Sequence, residues 1–231
     1  MFTLLITGAN RGLGLEFAKQ YAAAGWRVLA CCRAPENADK LQALADTTQG
    51  RVTLHALDVA DLSAIDDLAQ QLRGTPIDLI INNAGIYPDR TGGFGQTDYD
   101  AWMMGFLVNT MAPMKITEAF ISNLESGKGK TVATVSSKMG SLADNTSGSY
   151  YLYRSSKAAV NMVMKSLALD LASRGIRAVI LHPGWVQTDM GGANALINPE
   201  TSVTGMRKVL DHATAEDSGR FISYDGTEIA W

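Results

Sequence analysis

The 231-residue sequence has few of the residues that build metal centres and disulfide frameworks. It holds two cysteines, the adjacent Cys31 and Cys32, and three histidines that stand apart in the chain. Adjacent cysteines do not form an ordinary disulfide, and neither set has the spacing of a zinc site. The sequence therefore predicts no metal and a reducing compartment, with both cysteines packed in a strand.

Long hydrophobic runs and an excess of positive charge are also missing. No stretch approaches the about 18 apolar residues that a membrane span requires. The opening residues, MFTLLITGAN, lack the basic region of a signal peptide. A net charge of −3 offers no bulk attraction to nucleic acid or to an anionic membrane. We therefore expect a cytoplasmic protein with no membrane and no nucleic-acid partner.

Short apolar runs alternate with helical patterns along the whole chain. Helical spacing appears, for example, over residues 63–73 and over residues 158–175, which end at Gly175. Several of the apolar runs are apolar on both faces, as in buried parallel strands. The alternation predicts one doubly wound α/β domain over residues 1–231, with a mostly parallel, seven-stranded sheet between two layers of helices. The seven predicted strands are residues 2–6, 27–31, 52–57, 78–82, 131–136, 177–182 and 221–224.

Residues 186–215 interrupt this alternation with small and polar residues. They follow the sixth predicted strand, so they lie at the carboxyl edge of the sheet, where open α/β folds bind ligands. We interpret residues 186–205 as a substrate loop, either a mobile lid or an ordinary surface loop.

A glycine-rich turn follows the first predicted strand and opens a helix. It reads TGANRGLG over residues 7–14, with glycines at Gly8, Gly12 and Gly14. Such glycines let backbone N–H groups approach a pyrophosphate, and the N-terminus of the following helix favours negative charge. No GK[ST] sequence follows, so this is not the loop of a nucleoside triphosphatase. The turn predicts a dinucleotide site.

The end of the second predicted strand bears on which dinucleotide is bound. NAD-binding domains of this type usually place an acid there, to hold the ribose diol. This chain reads Cys31, Cys32, Arg33 at that place, and Arg11 adds a second cation inside the glycine turn. Two guanidinium groups near the adenosine ribose suit a 2′-phosphate. The sequence therefore favours NADP(H), with NAD(H) left open.

Three tyrosines precede a lysine in SYYLYRSSKAAVN, residues 149–161. Only Tyr153 stands four residues before Lys157, which places the two side chains on one face of a helix. An ammonium about 4 Å from a phenol contributes about 4 kcal/mol at an effective dielectric of about 20, which would lower the phenol's pKa toward neutrality. Such a phenol can exchange a proton with a carbonyl or an alcohol. Taken alone, this spacing is also that of ordinary surface pairs.

The order of the motifs along the chain adds to this spacing. TGxxxGxG is followed by NNAG at residues 82–85, by SS at 136–137 and by YxxSK at 153–157. This order, over nearly the whole chain, resembles the short-chain dehydrogenase/reductase family. The resemblance implies a Rossmann domain and an oxidoreductase acting on a carbonyl or an alcohol. VSSKMGS and the ending DGTEIAW are similar to the C-factor and sniffer-type carbonyl reductase subgroup, whose members are short and favour NADPH.

The resemblance implies catalytic roles for individual residues. Tyr153 matches the catalytic acid/base, and Lys157 matches the lysine that holds the nicotinamide ribose and lowers the tyrosine's pKa. Ser137 matches the serine that orients and polarises the substrate carbonyl. Ser136 is the alternative, because the 16 residues from Ser137 to Tyr153 exceed the usual family spacing. Asn109 matches the asparagine that organises a water-mediated proton relay to the lysine.

The resemblance also implies an extended cofactor site. Asp58 matches the acid that contacts adenine, residues 82–85 lie near the cofactor, and residues 183–188 line the nicotinamide. The full set of predicted cofactor contacts is Gly8, Asn10, Arg11, Gly12, Leu13, Gly14, Arg33, Asp58, Val59, Asn83, Ala84, Gly85, Tyr153, Lys157, Pro183, Gly184, Val186 and Thr188.

Three segments are expected to form the mouth of the substrate pocket: residues 86–95, 138–152 and 186–205. They carry a largely apolar, aromatic set that suits a hydrophobic aldehyde or ketone, unless several members simply cap the core. The set is Tyr87, Phe94, Met139, Tyr150, Tyr151, Trp185, Met190 and Leu196.

Two functions stay open from the sequence. The first is an NADPH-dependent oxidoreductase acting on a small carbonyl or alcohol substrate, and the second is an NAD(P)-binding regulatory module with incidental turnover. The combination of Ser137, Tyr153, Lys157 and Asn109 favours the enzyme, because a pure binding module needs no tuned phenol. The outer face of the long helix that follows Lys157 is compatible with a homodimer or a homotetramer.

Overall fold

The structure, a computed structural model, describes residues 1–89 and 93–231. All seven predicted strands are present, and their ends lie within one residue of the prediction. They are β1 Thr3–Thr7, β2 Arg27–Cys32, β3 Val52–Ala56, β4 Leu79–Asn82, β5 Thr131–Val135, β6 Arg177–His182 and β7 Phe221–Ser223.

The seven strands form one sheet in the order β3-β2-β1-β4-β5-β6-β7, with each neighbouring pair parallel. The chain runs outward from β1 to β3, returns to the middle, and runs outward again from β4 to β7. Strands β1 and β4 therefore mark the point where the strand order reverses, and a crevice opens there at the carboxyl ends of the strands. The prediction of a doubly wound, mostly parallel sheet is confirmed.

Eight α-helices connect and cover the strands in the described ranges. A single π-helical turn, Leu107–Met111, joins α4 to α5. The helices are α1 Gly12–Ala23, α2 Asp39–Thr47, α3 Leu62–Gln71, α4 Tyr99–Phe106, α5 Ala112–Ala119, α6 Ile121–Ser126, α7 Tyr151–Asp170 and α8 Pro199–His212. No helix in these ranges combines the length and the apolar character that crossing a bilayer requires.

The sheet carries a hydrophobic core on each of its two faces. On one face, Leu5 of β1 packs in a cluster with residues of α3, α5, α6 and α7. On the other, Leu4 packs with residues of α1, α2 and α8. Because neighbouring residues of a strand point to opposite faces, both positions must be apolar. This explains why the strands read as apolar runs rather than as alternating patterns.

Helix α7 begins earlier and ends earlier than the pattern over residues 158–175 predicts. It starts at Tyr151 and ends at Asp170, and a short 3₁₀ turn, Ala172–Arg174, completes the run. Gly175 does stop the helical run, with a left-handed φ of 71°. The early start places Tyr153 in the first turn of the helix, where backbone N–H groups lack intrahelical acceptors.

The predicted loop over residues 186–205 is too long, because α8 begins at Pro199. The side chain of Asn198 accepts a hydrogen bond from the N–H of Thr201 at 2.8 Å, and proline is well suited to the first helical position. Val203 and Met206 then bury one face of the helix in the core. The irregular segment that remains, residues 183–198, lies at the carboxyl edge between β6 and α8.

Candidate active site

The carboxyl ends of β1 and β4 are tied together by a compact set of hydrogen bonds. The hydroxyl of Thr7 accepts from the backbone N–H groups of Asn83 at 3.1 Å and Ala84 at 3.0 Å. The side-chain amide of Asn83 donates to the carbonyl oxygens of Thr7 at 2.9 Å and Gly8 at 3.2 Å. The NNAG segment thus holds the glycine-rich turn at the strand-order reversal. Thr7 was not among the predicted site residues, although it is the first residue of the glycine-rich turn.

The glycines of the turn are required by its backbone and by its close packing. Gly8 and Gly12 have left-handed φ values of 65° and 53°. A Cβ at Gly14 would lie 2.1 Å from the carbonyl oxygen of Gly8 and 2.6 Å from Nδ2 of Asn83. Side chains at these positions would therefore strain the turn or push it apart. Leu13 and Asn10 complete the turn, half-buried and exposed respectively.

The first turn of α1 is open to an anion. No side chain caps the helix at Arg11, and no acidic residue lies in its first turn. The first N–H groups of a helix have no intrahelical acceptor, and the helix dipole favours negative charge there. Together with the glycine turn, these N–H groups fit the pyrophosphate of a dinucleotide, which the backbone of residues 12–14 would hold.

The predicted adenosine end lies at the carboxyl ends of β2 and β3, next to β1. Arg33 and Asp58 are both exposed there, on neighbouring strands, while Val59 is buried. Arg11 is also exposed, and its guanidinium forms an ion pair with Asp189 at 2.9 Å. Since both side chains of this pair are more than two-thirds exposed (67% and 76%), the pair is weak, and Arg11 can turn toward another anion.

The side chains of Tyr153 and Ser137 lie near each other at the same edge of the sheet. Tyr153 is buried on α7, and its ring lies 4.6 Å, centroid to centroid, from the ring of Tyr87. Burial raises the pKa of Tyr153 to about 12, with the hydrogen bond to Ser137 acting to lower it and Tyr87 acting to raise it. The phenol is therefore protonated at neutral pH.

Lys157 is buried one turn further along α7. Its ammonium donates to the carbonyl oxygen of Val135 at 3.0 Å, and Nζ lies 5.7 Å from the centroid of the Tyr153 ring. Burial lowers the pKa of Lys157 to about 8. The expectation that the lysine brings the pKa of Tyr153 near neutrality is wrong for this structure, because desolvation of the phenol outweighs the effects that lower its pKa.

The two candidate serines face in different directions. Ser136 is buried and donates to Oδ1 of Asn161 at 2.6 Å. Ser137 ends the strand region, accepts from the N–H of Met139 at 3.2 Å, and lies near the phenol of Tyr153. The geometry thus brings Ser137, rather than Ser136, to the phenol.

Asn109 lies in the π-helical turn, where a local change of helical pitch directs it toward the site. Its amide oxygen accepts from the N–H of Ile86 at 2.9 Å, and its nitrogen donates to the carbonyl of Ile86 and the hydroxyl of Ser156, both at 3.0 Å. A Cβ at Gly85 would lie 3.2 Å from Oδ1 of Asn109 and 3.7 Å from Nζ of Lys157. Asn109 and Lys157 therefore both approach Gly85.

Residues 183–188 return to the glycine turn. A Cβ at Gly12 would lie 3.4 Å from Cγ2 of Thr188. Gly184 has a left-handed φ of 81°, and a Cβ there would come 2.8 Å from Cδ1 of Ile197. Val186 pairs with Ile197 in an isolated parallel bridge, and the carbonyl of Pro183 accepts from the hydroxyl of Ser202 at 2.6 Å. The predicted nicotinamide segment is thus fixed beside the pyrophosphate cradle.

Only some of the residues predicted to form the mouth of the substrate pocket contact one another. The ring of Tyr87 lies 4.6 Å from that of Tyr153 and 6.2 Å from that of Tyr150. Phe94, by contrast, is 93% exposed. Residues 90–92 of the predicted segment 86–95 lie outside the described residues. The remaining predicted mouth residues, Met139, Tyr151, Trp185, Met190 and Leu196, are exposed or half-buried.

A shallow cavity of about 620 Å³ lies elsewhere, between α8 and the turn after β7. Thr204, Lys208 and Tyr224 line it, and the side chains placed near Tyr153 do not. This cavity is therefore separate from the side chains around Tyr153. Among the described residues, no three or more His, Cys, Asp or Glu side chains form a group that could hold a metal ion.

Fold and site together define a dinucleotide-binding α/β oxidoreductase. The sequence profile of the short chain dehydrogenase family matches residues 3–196, and the chain belongs to that family. It is 46% identical over 156 residues to the C-signal protein of Myxococcus xanthus, over 68% of this chain and 93% of that protein.

Two solved structures have the same overall fold. The carbonyl reductase Sniffer of D. melanogaster is 32% identical, with a TM-score of 0.93 and 100% of both chains covered. The NADPH-bound carbonyl reductase from chicken fatty liver is 34% identical, with a TM-score of 0.92 and 99% of this chain and 98% of that chain covered. Both likenesses extend over the strands, the glycine turn and the helix that carries Tyr153.

Proposed function

We propose that this protein is an NADPH-dependent oxidoreductase that interconverts an apolar ketone or aldehyde and its alcohol. The observation that carries the proposal is that the side chains of Tyr153 and Ser137 lie near each other at the carboxyl edge of the sheet, the edge that also carries the glycine turn. Two hydroxyl groups at one point provide two hydrogen bonds for a single carbonyl oxygen. The likeness to carbonyl reductases, one of them bound to NADPH, supports the same assignment.

In this proposal each residue has a role that follows from its surroundings. Bound NADP(H) supplies or accepts the hydride. The hydroxyl groups of Ser137 and Tyr153 donate to the substrate oxygen and stabilise the negative charge that develops there. Since the pKa of Tyr153 is raised to about 12, the phenol is protonated at neutral pH and can donate its proton to the substrate oxygen during reduction. Lys157 and Asn109 hold the ribose side of the site and give the phenol a route for its proton.

Arg33 supports the choice of NADPH over NADH. A charge-assisted hydrogen bond contributes about 1.5–3 kcal/mol, so Arg33→Asp is expected to shift the ratio of kcat/KM for NADPH to that for NADH by about tenfold or more toward NADH. Steady-state kinetics with each cofactor would measure the shift. Arg73→Asp is the matched control, because Arg73 is an exposed arginine that follows α3 at the opposite edge of the sheet. An unchanged ratio in Arg33→Asp would contradict the assignment of the 2′-phosphate to Arg33.

The aromatic surroundings of Tyr153 support an apolar substrate. Tyr87 lies beside the phenol and Tyr150 lies beside Tyr87, while Trp185 and Met190 on the loop after β6 are half exposed. With NADPH, we expect aryl ketones and aldehydes to be reduced faster than charged sugar ketones, and a panel of carbonyl compounds followed by NADPH consumption tests this. Higher rates on the charged sugars would exclude the apolar substrate class.

The likeness to the C-signal protein keeps a second function in view. In that reading the chain is an NAD(P)-binding regulatory or signalling module, and turnover is incidental. Binding of NADPH without turnover of any carbonyl in the panel would favour this alternative over the enzyme.

A further inference from the structure

The start of α7 lacks a cap from its own sequence. Ser149 and Tyr150, which precede the helix, have left-handed φ values of 56° and 54°, and the side chain of Tyr150 makes no capping hydrogen bond. Residues other than glycine adopt this conformation at a cost, so some other contact must hold the turn. Helix starts normally receive a Ser, Thr, Asp or Asn side chain immediately before the first turn.

The cap comes instead from Asp89, in the segment after β4. Its Oδ1 atom accepts from the N–H of Leu152 at 3.2 Å, and its Oδ2 atom accepts from the N–H of Tyr153 at 2.6 Å. These residues are 63 and 64 positions away in the sequence. One carboxylate thereby satisfies two first-turn N–H groups and places a negative charge at the positive end of the helix.

The two residues before Asp89 are also anchored. The ring of Tyr87 packs on the ring of Tyr153 at 4.6 Å. Pro88 is buried against α4, where a Cβ added at Gly105 would come 3.0 Å from Cγ of Pro88. These contacts fix the backbone of residues 87–89 between α4 and α7. They thereby hold the Asp89 carboxylate in place at the start of α7.

We propose that Asp89 is a positioning residue for the reaction. By binding the backbone N–H of Tyr153 itself, it fixes the first turn of α7 and with it the distance from the phenol to Ser137. A first turn without its cap frays, and displacing a reacting group by about 1 Å can cost about 10²-fold in rate. This inference rests on the proposed function, in which the Tyr153 phenol meets the substrate oxygen.

The test compares Asp89→Ala with Asp61→Ala in the full chain. Asp61 is a matched control, because its Oδ1 atom also accepts from two first-turn N–H groups, those of Ser63 at 3.0 Å and Ala64 at 3.2 Å, at the start of α3. We expect Asp89→Ala to lower kcat by about 10- to 100-fold with KM for NADPH within about twofold of the parent. Asp61→Ala should leave kcat within about twofold, although both variants lose a cap of the same kind.

A conservative variant and a readout without turnover complete the test. Asp89→Asn keeps one acceptor oxygen in place of two, so it should recover only part of the lost kcat, to a value between those of Asp89→Ala and the parent. Hydrogen–deuterium exchange followed by NMR should show faster exchange at the amides of Leu152 and Tyr153 in Asp89→Ala but not in Asp61→Ala. Unchanged exchange at both amides, or an equal loss of kcat in the two alanine variants, would overturn the inference.

The same measurements separate this inference from the proposed function. If the parent binds NADPH but reduces no carbonyl, the proposed function fails. Accelerated exchange confined to Leu152 and Tyr153 in Asp89→Ala would then still support Asp89 as the residue that positions Tyr153. If the parent is active and Asp89→Ala retains full kcat, the function stands and the positioning role is excluded.

Discussion

Replacing Tyr153 with phenylalanine is expected to lower kcat for carbonyl reduction by about 10²- to 10⁴-fold, the usual contribution of a general acid. The variant keeps the ring that packs against Tyr87, so the fold of this region should persist. It loses the hydroxyl that lies near Ser137 and that, in the proposed mechanism, donates the proton to the substrate oxygen. Binding of NADPH, followed by fluorescence titration, should stay within about twofold, because a single ring hydroxyl contributes little to cofactor affinity.

The matched control is Tyr99→Phe, in the first turn of α4, where the tyrosine side chain is largely exposed. It should keep kcat within about twofold of the parent, as is usual for a surface substitution. Retention of a third or more of the parent's turnover by Tyr153→Phe would remove Tyr153 from the role of acid. A parent that binds NADPH and turns over no carbonyl would instead favour the regulatory module.

Replacing Lys157 with methionine is expected to abolish most activity while making the protein more stable at pH 7. Burial holds the pKa of Lys157 at about 8, against an ordinary value of 10.5. That difference corresponds to about 3 kcal/mol by which the charged side chain destabilises the folded state at neutral pH. Methionine removes this cost but leaves the carbonyl of Val135 without its donor, a loss of about 1 kcal/mol. The free energy of unfolding should therefore rise by about 2 kcal/mol, with kcat falling about 10²-fold.

The pH dependence follows from the direction of the Lys157 pKa shift. Between about pH 8 and pH 10.5 the unfolded chain holds more protons on this lysine than the folded chain does. The free energy of unfolding of the parent should therefore rise with pH through this window, compared with that of Lys157→Met. By the end of the window the variant should no longer be the more stable protein. Urea unfolding at pH 7 and pH 10 measures both values, with Lys165→Met on the same helix as the control. A Lys157→Met protein that is less stable than the parent at pH 7 would contradict the assigned cost of burial.

The strands and the glycine turn could be read from the sequence because their signals are local. A strand buried on both faces gives an apolar run bounded by turn residues, as at β1 and β6. Gly8 and Gly12 are each required by a left-handed backbone at their own position. The spacing from Tyr153 to Lys157 likewise needs only the helical repeat.

Other features of the site depend on contacts between distant residues, and the sequence did not reveal them. The predicted direction of the pKa shift at Tyr153 was wrong, because the shift depends on burial, which only the packed structure determines. Ser136 and Ser137 are neighbours in an extended chain and point to opposite sides, so the sequence left the choice open. The carboxylate that caps α7 comes from Asp89, 63 positions before the first of its two partners.

The start of α8 is a different case, because its signal was local and was overlooked. Asn198 and Pro199 form an ordinary cap and first helical position. The small and polar residues before them favoured a longer loop than the structure has. Helix propensity alone was too weak a signal to predict a helix against that composition. The burial of Val203 and Met206 stabilises the helix in the folded protein.

The bonds between Thr7 and Asn83 join residues 76 positions apart in the sequence. A cradle built this way exists only after β4 has docked beside β1, a pairing of high contact order that forms slowly during folding. Partly folded chains therefore lack the binding site for a dinucleotide. Any nucleotide held there draws the population toward the complete fold by mass action, and protease resistance should follow the nucleotide concentration.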